Sequence, residues 1–157
     1  MKARFALLLL IVCTIPGCYR YAHLYPVQGP LASLTPPPVY TVKMTGVFNS
    51  GNVTATLADG EDFSGPWKAI SVKERATAGS PASFSLASAW DTVYGQGFYT
   101  AHVLGTHLFA QASLVGKQGA VLQVEMYRQV LTADPGAPLD IKGVAKDSTG
   151  NVYKLAF

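Results

Sequence analysis

Short runs of alternating polarity, each cut off by a tight-turn signal, constrain this chain more than any other feature. In Asn52–Leu57, Val53, Ala55 and Leu57 fall on one side and Asn52, Thr54 and Thr56 on the other, the period of a strand with one buried face. Asp59-Gly60 follows, a pair suited to the positive φ angles of a two-residue hairpin. In Leu108–Leu114, Leu108, Ala110, Ala112 and Leu114 face one way; Gly116–Gly119 then turns the chain into Ala120–Arg128, whose Leu122, Val124 and Met126 supply the matching face. Leu139–Lys146 and Asn151–Phe157 meet at Asp147-Ser148-Thr149-Gly150, with Tyr153, Leu155 and Phe157 alternating. Together with the β-favouring run Tyr40–Phe48, these strands predict a mainly β domain, an antiparallel sandwich or a small barrel. No internal repeat is visible.

Three segments need separate treatment. After Asp59-Gly60 the returning strand carries Phe63 and Trp67 on a common face, and Gly65-Pro66 predicts a bulge or strand break within it. Between Ser83 and Tyr94, Leu86, Ala89, Trp90, Val93 and Tyr94 recur at helical spacing. They predict one short helix over about 83–94, with Ser83 or Ser85 as cap and Gly95 as terminator. Phe98–Leu104 reads as a further strand, and Asp134-Pro135-Gly136 with Pro138 as a loop.

The strands occupy only part of the 157 residues. Lys2 and Arg4 precede an uninterrupted apolar run, Phe5–Thr14, too short for a spanning helix of roughly 20 residues. A positive start, a short apolar run and a small-residue exit predict a cleaved secretory signal over residues 1–17. Its exit, Ile15-Pro16-Gly17-Cys18, resembles the lipobox of bacterial lipoproteins. The resemblance implies diacylglycerol on the Cys18 thiol, cleavage just before it and acylation of the new amine. Pro16 is the main departure from that pattern. Tyr19 rather than Asp follows the cysteine, which by analogy with enterobacterial sorting favours the outer membrane. Cys13 leaves with the leader, so the mature chain holds no second thiol for a disulfide or a nucleophile.

Tyr19–Pro38 is aromatic, proline-rich and ends in Pro36-Pro37-Pro38. Residues 18–38 are therefore expected to form a lipidated N-terminus and Pro-rich tether, partly docked through Tyr21, Leu24 and Tyr25, leaving 39–157 as the β-rich globular domain. The lipobox, ATLADGEDFSGPW, GKQGAVLQVEMY and GVAKDSTGNVYKLAF together resemble segments of a family of small uncharacterised bacterial lipoproteins, which pair a lipobox-type signal with a compact β-rich domain. The resemblance covers much of the mature chain but rests on turn and strand motifs. It implies a fold and a location; it brings no catalytic residues.

Composition excludes several classes. With 49% hydrophobic and only 13% charged residues, the chain is not of the disordered kind. Once Lys2 and Arg4 are removed, ten basic residues face nine acidic ones, and they form no run. A nucleic-acid partner is not expected. His23 lies in the expected tether, and His102 and His107 lack the spacing that sets two imidazoles on one metal. Glu61 and Asp62 would point to opposite sides of a strand. Glu74, Asp91, Glu125, Asp134 and Asp140 stand alone. Asp147-x-x-Gly150-Asn151 resembles a calcium loop only in part, since the later liganding glutamate is missing. Gly95-x-Gly97 lacks the third glycine of a dinucleotide fingerprint, and no Gly-x-Ser-x-Gly elbow occurs. Trp67, Trp90, Tyr94, Phe98 and Tyr99 are expected in the core where helix meets sheet, the alternative being the lining of a ligand pocket.

The resulting expectation is a lipid-anchored envelope protein with a non-catalytic binding or structural role. Its partners would be the membrane, through lipid on Cys18, and an envelope protein or glycan. No cofactor or metal is expected. The alternative is a small enzyme or enzyme inhibitor of the periplasm or cell surface, whose site would gather polar groups around His102, Asp91 or Glu125.

Overall fold

Each alternating run pairs with the next in the chain until the last meets the first. The structure, a computed structural model, describes residues 19–47, 49–57, 60–71, 86–106, 109–129 and 140–157. Eight strands follow one another: β1 (Tyr19–Gln28), β2 (Tyr40–Val47), β3 (Ser50–Thr56), β4 (Asp62–Ile70), β5 (Phe109–Gly116), β6 (Val121–Gln129), β7 (Asp140–Asp147) and β8 (Val152–Ala156). All neighbours are antiparallel, and β8 pairs with β1 to close a barrel. Closure gives both end strands a partner, so that neither β1 nor β8 is a free sheet edge along its whole length.

An eight-stranded barrel has an interior just wide enough for side chains to fill. Here it holds Ala22, Leu24, Val42, Val53, Ala55, Phe63, Leu114, Leu122, Val124, Met126, Tyr153 and Leu155, all buried. These include the inward positions read from the alternation at Val53, Ala55, Leu122, Val124, Met126, Tyr153 and Leu155. Phe157, expected to continue that series, is 43% exposed, because it lies beyond the last paired residue of β8.

The first strand overturns the expected tether. Ala22, Leu24 and Pro26 are buried while Tyr21, His23 and Tyr25 between them are exposed, a period-two pattern concealed by bulky residues on the outer side. Residues 19–24 pair with β2, and His23 through Gln28 pair with β8 across a bulge between Pro26 and Gln28. That bulge accommodates Pro26, which has no N–H to donate. Only Gly29–Val39 connects β1 to β2, and it includes a 3-10 turn at Pro30–Ser33.

Two further expectations are corrected. The Gly65-Pro66 pair does not break β4: Pro66 pairs with Asn52, and the β4–β5 register is the same on either side of it. Gly65 is needed for closeness, since a Cβ there would lie 2.3 Å from the Ser113 carbonyl oxygen. Phe98–Leu104 is no strand. Tyr99–Val103 forms a π-helical turn that buries Val103 on one side, so an apolar run of this length was ambiguous between helix and strand.

The predicted helix is present as α1 (Ala87–Tyr94). Its proposed caps Ser83 and Ser85 lie outside the described residues, as do the loop at 134–138, His107, Glu74, Asp59 and Cys18. Gly95 ends the helix with φ +109°. Helix and π-helical turn cover the outer side of the barrel wall. There Leu86, Ala89, Trp90 and Val103 pack on Phe109, Tyr127, Val144 and Val152, a second core separate from the interior. On β5 to β8 the outward residues Phe109, Tyr127, Val144 and Val152 are thus buried as well, whereas the outer positions of β3 remain exposed.

Because Leu24 is fully buried, Leu24→Ala should lower unfolding free energy by about 2–5 kcal/mol in denaturant titration. A mere tether would tolerate the change without measurable loss.

Candidate functional site

The carboxylates best placed for chemistry turn out to hold the fold together. Glu125 points outward from β6, opposite in register to Gln111 and Val144, and is only 2% exposed beneath α1. Its Oε2 accepts the Trp90 indole N–H at 2.7 Å, and its Oε1 accepts the Leu86 backbone N–H at 3.1 Å and the Gln111 amide at 3.3 Å. The bond to Leu86 supplies what a capping side chain would, satisfying an amide at the helix start with favourable charge. Glu125 therefore fastens the helix and its indole to the barrel wall.

Asp147 performs the same service at the β7–β8 turn. Its Oδ1 accepts the backbone N–H groups of Thr149 and Asn151, both at 2.9 Å, and the Thr149 hydroxyl at 2.8 Å. Its Oδ2 accepts the Asn151 amide at 2.8 Å and the Tyr153 hydroxyl at 2.6 Å. Burial pushes this carboxyl up, but the bonds from Tyr153, Asn151 and Thr149 outweigh it and hold it below its ordinary 3.8. Burial and the neighbouring Asp147 carboxylate drive the Tyr153 phenol well above its ordinary range. Asn151 then accepts the Leu31 N–H at 3.0 Å, tying the β1–β2 connection to the turn. Gly29, with φ +100°, permits that approach: a Cβ there would sit 2.6 Å from Asn151 Oδ1.

The other polar candidates have local employment. Asp91 Oδ1 accepts the Tyr99 N–H at 3.0 Å and so caps the π-helical turn. Asp62 binds exposed Lys117 at 2.8 Å, and that hydrogen bond holds its carboxyl below the usual value. Glu61 accepts the Gln118 N–H at 3.1 Å across the β5–β6 turn. Asp140 pairs with Lys142 at 2.9 Å. His102 is exposed, its ring 4.7 Å from that of Phe98.

The aromatic residues divide into two groups. Trp90, Tyr94 and Phe98 stack with ring centroids 4.8–6.1 Å apart, and Trp90 and Phe98 meet Tyr127 edge-on, so they belong to the outer core. Burial pushes the Tyr94 phenol up to about 12. Trp67 faces the barrel end, where its indole N–H donates to the Thr45 carbonyl at 3.0 Å. Gly51 must lack a side chain there, because a Cβ would fall 1.8 Å from the same carbonyl oxygen.

A second set of aromatic residues stands in the open. Along the outer face of β1, Tyr19, Tyr21 and Tyr25 are 57%, 53% and 40% exposed, with His23 exposed between them. Tyr19 and Tyr21 meet edge-to-face at 5.5 Å, and Lys43 Nζ lies 5.4 Å from the Tyr19 ring. In register, Tyr21 faces Lys43 on β2 and Tyr25 faces Lys154 on β8. This Tyr–Lys face is an open aromatic surface among the described residues, and the sequence reading missed it by assigning β1 to a linker.

No family model matches the chain, and neither the curated proteins nor the solved structures yield a match. Among the described residues no group of three His, Cys, Asp or Glu side chains is placed to hold a metal ion. Among them, too, no helix is long and apolar enough to cross a membrane.

Removing the buried carboxylates separates their two roles. Glu125→Ala leaves an indole and two amides unsatisfied and should cost about 3 kcal/mol, with a red shift of tryptophan emission as α1 loosens. For Asp147 the folded state prefers the ionised form. Its stabilisation is therefore complete above the unfolded value near 3.8 and is lost as pH falls through the depressed folded value. The stability gap between wild type and Asp147→Asn should accordingly narrow on acidification below pH 3.8 in pH-resolved melts; a gap that stays constant would contradict the network's electrostatic role.

Proposed function

We propose that this chain is a lipid-anchored protein of the bacterial cell envelope, fixed by acyl chains on Cys18, with a non-catalytic binding or structural role. The observation that carries the reading is positional. Cys18 is the residue immediately before Tyr19, where the first barrel strand begins. A leader cut before Cys18 would thus release the whole barrel with its lipid on the adjoining residue. Several acyl chains, each contributing about 0.8 kcal/mol per buried methylene, anchor a protein firmly where one chain does not.

A non-catalytic role is supported by how the polar side chains are used. Glu125, Asp147 and Asp91 accept hydrogen bonds that hold helix, turn and π-helical turn in place. The barrel interior is lined by a cluster of buried, mostly apolar side chains. What remains for a partner is surface, either a protein or a glycan of the envelope. Tyr19 at the position after the cysteine favours the outer membrane as the site of the anchor.

The test is intact mass of membrane-extracted protein, with Cys18→Ala beside it. A wild-type mass lacking residues 1–17 and carrying acyl chains, with membrane association lost in the variant, is the expected result. A retained leader, or a mature chain without lipid, would overturn the anchor.

A further inference from the structure

We propose that the outer face formed by β1 with its neighbour β2 lies on an anionic phospholipid surface, so that the barrel rests on its side against the membrane that holds it. The inference rests on acylation of Cys18.

The first consideration is reach. Consecutive Cα atoms are about 3.8 Å apart, and no residue separates Cys18 from Tyr19, the first residue paired into the barrel, opposite Thr45. An acylated Cys18 places the start of β1 in the headgroup region, with no chain left over to lift the domain away. Some part of the barrel must then meet lipid, and the residues nearest the anchor decide which part.

Those residues have the chemistry of an interface. Tyr19 and Tyr21 project outward next to the anchor and are 57% and 53% exposed. Tyrosine, an apolar ring with a polar tip, concentrates at the level of lipid headgroups. The stripe continues along the strand through His23 to Tyr25, which is 40% exposed. A line of four outward side chains at period two runs roughly 20 Å along a strand. It is long enough to set the barrel on its side once the first of them is held.

Charge points the same way. The strands β1 (YRYAHLYPVQ) and β2 (YTVKMTGV) contain Arg20 and Lys43 and no aspartate or glutamate, and Lys43 lies on the outer face opposite Tyr21. The acidic side chains of the described wall sit elsewhere, Asp62 on β4, Glu125 on β6, and Asp140 and Asp147 on β7. The sector of the described wall that adjoins Cys18 is therefore basic and carries no acidic side chain. Basic residues beside an anchor are drawn to anionic lipid.

The mature chain has no cysteine besides Cys18, so one introduced cysteine carries one nitroxide. Acylated protein with the label at Thr41→Cys, on the outer face of β2 opposite His23, is compared with protein labelled at Ser88→Cys, exposed on α1. Both are reconstituted in vesicles of phosphatidylglycerol and phosphatidylethanolamine, and collision with a water-soluble nickel chelate is read by electron paramagnetic resonance. The expected result is a severalfold drop in nickel accessibility at position 41 on reconstitution, with none at position 88. Combining Tyr19→Ser, Tyr21→Ser and Lys43→Gln should restore accessibility at 41, and pure phosphatidylcholine should weaken the shielding. Equal accessibility at both sites, in protein whose acyl mass is confirmed, would overturn the side-lying face and leave the anchor standing. Shielding unchanged in phosphatidylcholine would overturn the anionic surface as its partner. Shielding found in intact envelopes but not in vesicles would assign the face to a protein or glycan instead. Absence of acyl mass would remove the anchor and this proposal with it.

Discussion

The pairing of β1 with β8 is the interaction on which the rest of the structure depends. Without it the sheet is an open meander whose first and last strands expose their backbone groups, and the side chains inside have no closed surface to fill. With it, Leu24 and Leu155 lie side by side in register, and both are sealed into the interior. The seam is reinforced at one end by the Asp147 network. There, a single carboxylate organises the β7–β8 turn, and Asn151 carries the connection across to Leu31 beyond β1. A buried ionised group in such a position is tolerable because five hydrogen bonds compensate its desolvation. The barrel is thus closed twice, by backbone pairing along the seam and by side-chain bonds over its rim.

The same economy governs the helix. An eight-residue helix has little stability of its own, and α1 begins without a side-chain cap. Its place is fixed by Trp90 and by Glu125, which receives both the indole and the first helical amide region. Two carboxylates that a search for catalytic groups would single out by burial are thereby explained as supports. Their burial reflects the geometry of closure and of helix docking.

Much of this architecture was legible in the sequence. Alternation at Val53–Leu57, at Leu122–Met126 and at Tyr153–Leu155 identified strands where they occur, Asp147–Gly150 identified the turn between the last two, and the helical spacing of Leu86, Ala89 and Trp90 identified α1. Alternation alone did not choose between sandwich and barrel, since that choice depends on whether the last strand finds the first. The first strand was misread because prolines and exposed tyrosines masked its Ala22, Leu24, Pro26 series. With β1 taken for a linker, its aromatic face could not be recognised as part of a sheet. The roles of Glu125 and Asp147 were illegible for a different reason: their partners Leu86, Trp90 and Tyr153 are brought in by tertiary packing or a turn, and spacing alone does not assign them. Phe98–Leu104 failed on length, since a short apolar run satisfies a helical turn as well as a strand.

The two cores divide the barrel wall into unequal halves. On β6, Val124, Glu125, Met126 and Tyr127 are all buried in succession, inward and outward alike. On β3, Ser50, Asn52, Thr54 and Thr56 are exposed and only Val53 and Ala55 are buried. A strand of the first kind has no free position over such a run, so that stretch can drift only by compensated changes in two cores at once. A strand of the second kind is free at every other residue. Among descendants of this chain, the single-layered half of the wall is therefore where new surface chemistry can accumulate, while the double-layered half keeps the record of common ancestry.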